Sequence, residues 1–311
     1  MNKINAGVYP TMITPFTASG EVDYETAAKL TEWYIDKGCH GIFAVCQSSE
    51  MFFLSLEEKS RLARTVIQTA HAKDPAVSIV CSGHTSDDLG AQAEELTAMQ
   101  EAGADAVVWV SNRLDQQQEG DAVWLKNAET LLGRLPAEMT LGIYECPVPY
   151  KRLLTPEILE WCKQTERFAF IKDTCCHPEL LVERLQQLDG SSVGLFNANA
   201  QTLLHTLKNG AAGFSGIMAN FYPELFVWLY ENRQSQPEKA ERLQQLITVC
   251  EYATIGCYPV SAKYAQQVRG VPMETYTRSV DPAKLGSYQK FVVDRTLELT
   301  EYAMHELGIK E

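Results

Sequence analysis

A short apolar run followed by a segment of helical period recurs eight times along this 311-residue chain. The apolar runs fall at residues 8–13, 41–45, 77–81, 106–110, 140–144, 168–172, 193–196 and 213–215. The amphipathic segments after them fall at 24–37, 56–71, 87–102, 121–134, 156–164, 178–188, 200–208 and 223–232. A strand followed by a helix and another strand builds parallel sheet, because parallel neighbours need a crossover of a dozen or more residues. Eight such units close a (β/α)8 (TIM) barrel, an α/β fold. Local signals agree with the count. Ser55 precedes a helix with Glu58 three residues on, Thr155 precedes Pro156, and His177 precedes Pro178. Gly38, Gly103, Gly190 and Gly210 stand where helices hand over to strands.

After about residue 232 the strand signal stops, and 238–252, 260–268 and 281–307 read as three helices. The expected organisation is a barrel over 1–232 and a carboxy-terminal helical domain over 233–311. No flexible linker divides the two, so the extension is expected to pack on the barrel or on another subunit.

A formal charge of −13 provides no basic stripe for a nucleic-acid backbone. No apolar stretch reaches the roughly 18–20 residues that span a bilayer. The nine cysteines are odd in number and lack CxxC spacing, as expected of reduced, mostly buried thiols in a cytoplasmic protein. Residues 1–7 lack the apolar core of a signal peptide.

Barrel chemistry sits at the carboxyl ends of the strands. Read in order, those ends supply Thr11 to Thr14, Cys46 to Glu50, Ser82-Gly83-His84, Ser111-Asn112-Arg113, Tyr144-Glu145, Lys172-Asp173-Thr174, Asn197-Ala198-Asn199 and Ser215-Gly216. Lys172 is the one lysine in that set. A lysine closing a buried strand loses hydration, which lowers its pKa and frees an amine to attack a ketone. On an ordinary strand the same residue is more often a snorkelling surface lysine. Tyr144 ends the preceding strand, and a strand-end tyrosine alone does no more than bond locally.

These residues carry a resemblance. The chain resembles the pyruvate-dependent class I aldolase and lyase group that includes dihydrodipicolinate synthase and N-acetylneuraminate lyase. The likeness covers Tyr9-Pro10-Thr11-Met12-Ile13-Thr14-Pro15-Phe16, the Cys46–Glu50 loop, Tyr144-x-x-Pro147 and Ile171-Lys172-Asp173-Thr174. It continues through Gly210-x-x-Gly213-Phe214-Ser215-Gly216 with Asn220, into the helical tail. It implies that Lys172 forms an imine with pyruvate or another 2-keto acid and that Tyr144 shuttles protons. It implies too that Ser48 holds the keto-acid carboxylate. The partner substrate would be an aldehyde, with a 2-keto-3-deoxy sugar acid as one candidate for the joined compound. No metal or organic cofactor is expected, because the protonated imine is itself the electron sink. A homo-oligomer, a tetramer by this resemblance, is expected.

The departures from the group's pattern narrow the expectation. The loop that usually reads Gly-Thr-Thr-Gly-Glu or Gly-Ser-Thr-Gly-Glu is Cys46-Gln47-Ser48-Ser49-Glu50 here. Gln47 replaces the hydroxyl that relays protons to the tyrosine, and Ser49 replaces a glycine, where a positive φ would be strained. Glu50 is expected to brace the loop. Arg113 stands where the synthase places a tyrosine that reaches a neighbouring subunit, and Pro149 where it places a carboxylate-gripping arginine. The sialic-acid lyase's acidic pair aligns with Ala200 and Gln201. Thr174 matches a hydroxyl that lyase uses, and Ser215 ends the last strand within reach of a substrate. The leading expectation is thus a Schiff-base aldolase or lyase. A true dihydrodipicolinate synthase and a non-catalytic keto-acid-binding barrel of the same group are the alternatives.

Overall fold

A computed structural model describes residues 4–309. The strands are β1 (Gly7–Val8), β2 (Gly41–Ala44), β3 (Ser78–Cys81), β4 (Ala106–Val110), β5 (Leu141–Tyr144), β6 (Phe168–Asp173), β7 (Gly194–Asn197) and β8 (Gly213–Phe214). The helices after them are α1 (Tyr24–Asp36), α2 (Leu56–Lys73), α3 (Leu89–Glu101), α4 (Asp121–Leu132), α5 (Pro156–Gln164), α6 (Pro178–Leu188), α7 (Leu203–Lys208) and α8 (Pro223–Asn232). All strand neighbours are parallel, in the order β1-β8-β7-β6-β5-β4-β3-β2. A bridge between Thr11 and Phe43 joins the two ends of that order, so the (β/α)8 barrel closes.

Strand β1 is shorter than the apolar run at 8–13. Pro10 has no N–H to donate and interrupts the ladder. The segment still bonds to both neighbours, through Tyr9 N–H to Phe214 (2.8 Å) on one side and Met12 N–H to Phe43 (3.0 Å) on the other.

The helices start where side chains cap them. Ser55 and Glu58 form the reciprocal capping box at α2, with Ser55 N–H to Glu58 Oε2 at 2.8 Å and Glu58 N–H to Ser55 Oγ at 3.2 Å. Asp88 accepts from Gly90 and Ala91, so α3 begins two residues later than the pattern suggested. Asn199 accepts from Thr202 and holds 200–202 as a turn, which delays α7 in the same way. On α2 the buried positions Lys59, Leu62, Ala63, Val66, Ile67 and Ala70 follow the three- and four-residue spacing of one helix face.

Inside the barrel, Tyr9, Phe43, Phe170 and Phe196 form an aromatic plug below the mouth. Phe170 and Phe196 stack at 4.4 Å between centroids, and Tyr9 meets Phe196 edge-on at 4.9 Å. All four rings are buried, so the lower barrel is packed rather than open.

The extension is α9 (Pro237–Thr254), α10 (Val260–Val268) and α11 (Ser287–Leu307). The last of these starts later than residue 281, because Asp281 caps a single 3-10 turn and Gly286 precedes the helix proper. Helix α9 packs on α7, α8 and α11. The buried core is continuous, taking in Leu243, Ile247, Ala262, Val293 and Leu297 with the barrel residues. No described helix is long and apolar enough to cross a membrane.

Candidate active site

Tyr144 and Lys172 are register partners on the adjacent parallel strands β5 and β6, so both side chains leave the sheet on the same side. The Lys172 ammonium sits 4.1 Å from the centroid of the Tyr144 ring and 5.4 Å from that of Phe43. Two residues below it on the same face, Phe170 belongs to the aromatic plug. The amine therefore stands over a dry floor, with only 4% of the residue exposed. Burial pulls its pKa from 10.5 down to about 8. The nearby ring faces favour the cation by a smaller amount.

The Tyr144 phenol is buried, which pushes its pKa well above the usual value. Its O–H donates to Gln47 Oε1 at 3.0 Å, and the Cys146 thiol donates to the same oxygen at 3.4 Å. The Gln47 amide thus fixes the tyrosine proton as an acceptor. Its own N–H groups have no protein partner among the described residues.

Ser48 Oγ donates to Thr11 Oγ1 at 3.1 Å, and the Tyr258 phenol faces both hydroxyls. Tyr258 also accepts from Asn220 Nδ2 at 3.2 Å. The hydroxyls of Ser48 and Tyr258 thereby line one side of the cavity, and the buried Thr11, from the segment after β1, bonds to Ser48.

The loop carrying Gln47 and Ser48 is fixed from below and from the side. Ser49 Oγ donates to Met12 O at 2.6 Å and accepts from Cys46 N–H at 3.0 Å. That turns Ser49 into the base of the loop and off the cavity wall. The positive φ values fall at Val45 (49°) and Glu50 (60°) instead of at Ser49, so replacing the glycine there costs no strain. Glu50 is buried and binds Lys263 Nζ at 3.1 Å and the N–H groups of Arg278 (2.7 Å) and Ser279 (2.8 Å). It locks the loop to the helical extension.

Behind Tyr144 and Lys172 lies a buried ionic cluster. Arg184 of α6 reaches Glu145 Oε1 at 2.9 Å and also pairs with Asp173. Glu145 accepts from the N–H groups of Thr174 and Leu154, each at 2.8 Å. Burial, with the neighbouring Asp173 charge, raises the Glu145 carboxyl to about 7. This cluster ties together the two chain segments that leave β5 and β6.

Of the residues singled out in the sequence, Lys172, Tyr144, Gln47, Ser48, Thr174 and Arg113 all line one cavity of about 790 Å3 at the carboxyl mouth. Thr174 Oγ1 donates to Glu145 O at 2.8 Å. Arg113 is held by Asn112 Oδ1 at 3.0 Å and Asp87 Oδ1 at 2.9 Å. Ser215 lies off the cavity wall, fully buried, and its hydroxyl has no partner among the described residues.

The strand-end reading misses Tyr258, Glu50's partner Lys263, and Arg184. Tyr258 and Lys263 belong to the extension, which carries no strand ends to inspect. Arg184 occupies a helix position that in sequence is an ordinary amphipathic charge.

A closed barrel with a desolvated lysine beside a tyrosine at its carboxyl mouth defines the class of fold: a (β/α)8 barrel with its candidate site at the strand ends. The sequence profile of the Dihydrodipicolinate synthetase family matches residues 5–294, and the chain belongs to that family. It is 22% identical over 263 residues to the 4-hydroxy-tetrahydrodipicolinate synthase of Staphylococcus epidermidis, covering 85% of this chain and 86% of that one. Its fold is shared with the E. coli K12 prophage protein YagE, solved in complex with pyruvate. That likeness has a TM-score of 0.81 at 22% identity, over 98% of this chain and 99% of that one. It is shared too with the Ruminococcus gnavus sialic acid aldolase, at a TM-score of 0.85 and 15% identity over 97% and 99% of the two chains.

Proposed function

We propose that this protein is a Schiff-base aldolase or lyase that joins a 2-keto acid, pyruvate in the simplest case, to an aldehyde, or cleaves the product. The observation that carries the reading is the placement of the Lys172 amine, desolvated and 4.1 Å from the Tyr144 ring, in the mouth of the barrel. Pyruvate bound in the YagE structure is consistent with that choice of keto acid.

In the reading we favour, the keto-acid carboxylate docks against the hydroxyls of Ser48 and Tyr258, with Thr11 accepting from Ser48. Neutral Lys172 attacks the ketone carbon to give a carbinolamine, which loses water to form the imine. The protonated imine draws electrons from the adjacent methyl, whose proton leaves to give an enamine. The enamine carbon then bonds to the aldehyde carbon, and the aldehyde oxygen takes up a proton. Water hydrolyses the new imine, releasing a 4-hydroxy-2-keto acid and free Lys172. Tyr144 is the group placed to move protons at the carbinolamine and aldehyde oxygens. The reaction needs no metal or organic cofactor, since the imine nitrogen accepts the electrons.

Gln47 favours one rival. An amide holding the Tyr144 proton passes it on less readily than a hydroxyl, which suits a barrel that binds keto acids without turning them over. The position of Pro149, where a carboxylate-gripping arginine is expected, argues against a dihydrodipicolinate synthase. Exchange of the pyruvate methyl protons into deuterated water, followed by NMR, separates the readings. An aldolase catalyses the exchange and Lys172→Met abolishes it; a wild-type protein that binds pyruvate without exchange supports the rival.

A further inference from the structure

We infer that the outer half of the cavity is an acceptor subsite for an aldehyde with an aliphatic or aromatic body, in place of a polyhydroxylated or carboxylate-bearing one. This rests on the Lys172 imine reading above and adds the class of the second substrate.

The apolar side chains of the mouth are free. Phe53 is 51% exposed, Val148 41% and Ile255 45%, and all three line the cavity with Phe52, Ile217 and Val280. They come from the β2 loop, the segment after β5, the turn after β8 and the helical extension, so the apolar wall surrounds the entrance on several sides. Exposed apolar groups of this size inside a concave site mark a surface that gains by being covered.

Several polar groups of the same wall are already engaged, and the unpaired Gln47 amide N–H lies deeper, beside Tyr144. Arg113 is bonded to Asn112 and Asp87, and the Asp87 carboxylate offsets its charge. Lys151 Nζ donates to Thr174 O at 2.8 Å. Asn199 is bonded on both ends of its amide, to Thr202 and Gln201. Glu251 accepts from Ala200 N–H at 3.3 Å and faces the mouth with a charge opposite to that of Lys151.

A sugar hydroxyl entering here would give up water and find several of its natural partners occupied, which is unfavourable. A hydrocarbon body covers Phe53, Val148 and Ile255 and gains in proportion to the area removed from water. The sugar-acid candidate raised by the family likeness is therefore the poorer fit to this wall.

The test is pyruvate addition to hexanal, benzaldehyde, D-glyceraldehyde and succinic semialdehyde, comparing kcat/KM in the wild type and in Phe53→Ala. The expected result is a preference of about tenfold or more for hexanal and benzaldehyde. The ratio of variant to wild type cancels each aldehyde's intrinsic reactivity. That ratio should fall further for hexanal than for glyceraldehyde, by about fivefold and mainly through KM, with Phe53→Leu recovering most of the loss. Equal or better use of glyceraldehyde or succinic semialdehyde, or the same ratio for all four, overturns the assignment. Borohydride trapping of pyruvate on the wild type runs in parallel. Trapping without use of either apolar aldehyde overturns the acceptor assignment alone, whereas no trapping overturns the imine reading beneath it.

Discussion

The amine of Lys172 should titrate near pH 8, and the consequence for reactivity is large. The residue is buried above an aromatic floor, and desolvation lowers its pKa from 10.5 to about 8. At pH 7 such an amine is about 9% neutral, against about 0.03% for an ordinary lysine, a gain of about 300-fold in free nucleophile. Methyl exchange should therefore rise about tenfold from pH 6 to 7 and level off above 8. The direct assay is NMR of protein carrying 13C at the lysine ε-carbons, titrated from pH 6 to 11. Lys263 is also pulled down by burial, so the Lys172 signal is assigned by its loss in Lys172→Met. The shift fixes a sign for stability as well. Between about pH 8 and 10.5 the unfolded chain holds a proton that the folded chain has released, so this lysine makes stability rise with pH across that window. A Lys172 midpoint at or above pH 10 refutes the argument from burial.

Three further outcomes follow from the geometry. Tyr144→Phe keeps the ring beside Lys172 and removes only the hydroxyl, so pyruvate trapping should persist while turnover falls by about 10²–10⁴, and wild-type rates would remove Tyr144 from the mechanism. Arg184→Leu leaves Glu145 and Asp173 buried without their cation, and denaturant unfolding should show a loss of about 3–5 kcal/mol; a loss under about 1 kcal/mol would mean the cluster is not structural. Glu50→Gln breaks the buried pair with Lys263 and weakens two N–H contacts to the extension. It should destabilise by a similar amount, about 3–5 kcal/mol, and raise the pyruvate concentration that half-saturates trapping; an unchanged value would separate the brace from the Ser48 loop.

Much of this site is legible in the sequence because barrel strands point their last residues at one mouth. Lys172 and Tyr144 close consecutive apolar runs, and consecutive strands of this fold pair, so their meeting follows from order alone. Gln47 and Ser48 are legible for the same reason, as the loop after β2. What the pattern cannot give is the direction of a loop side chain. Ser49 follows Ser48 directly, yet its hydroxyl turns down to Met12 O, and Ser215 stays buried behind the wall. The extension is the other blind region. Helical periodicity locates α10 but does not reveal that Lys263 pairs with Glu50, or that Tyr258 just before it enters the site, because both contacts span more than two hundred residues. The strand at 8–13 is misjudged in length for a local reason: Pro10 satisfies the apolar pattern and fails the ladder.

In the proposed mechanism Lys172, and no other amine of this chain, condenses with a 2-keto acid. Incubation with pyruvate and borohydride, followed by digestion and peptide mass mapping, tests it directly. Among the described residues three lysines are buried, Lys59, Lys172 and Lys263, so the map has real alternatives to choose among. The expected result is one reduced pyruvyl adduct, on the peptide containing Lys172, and none in Lys172→Met. An adduct on another lysine, or the same added mass in Lys172→Met, would contradict it.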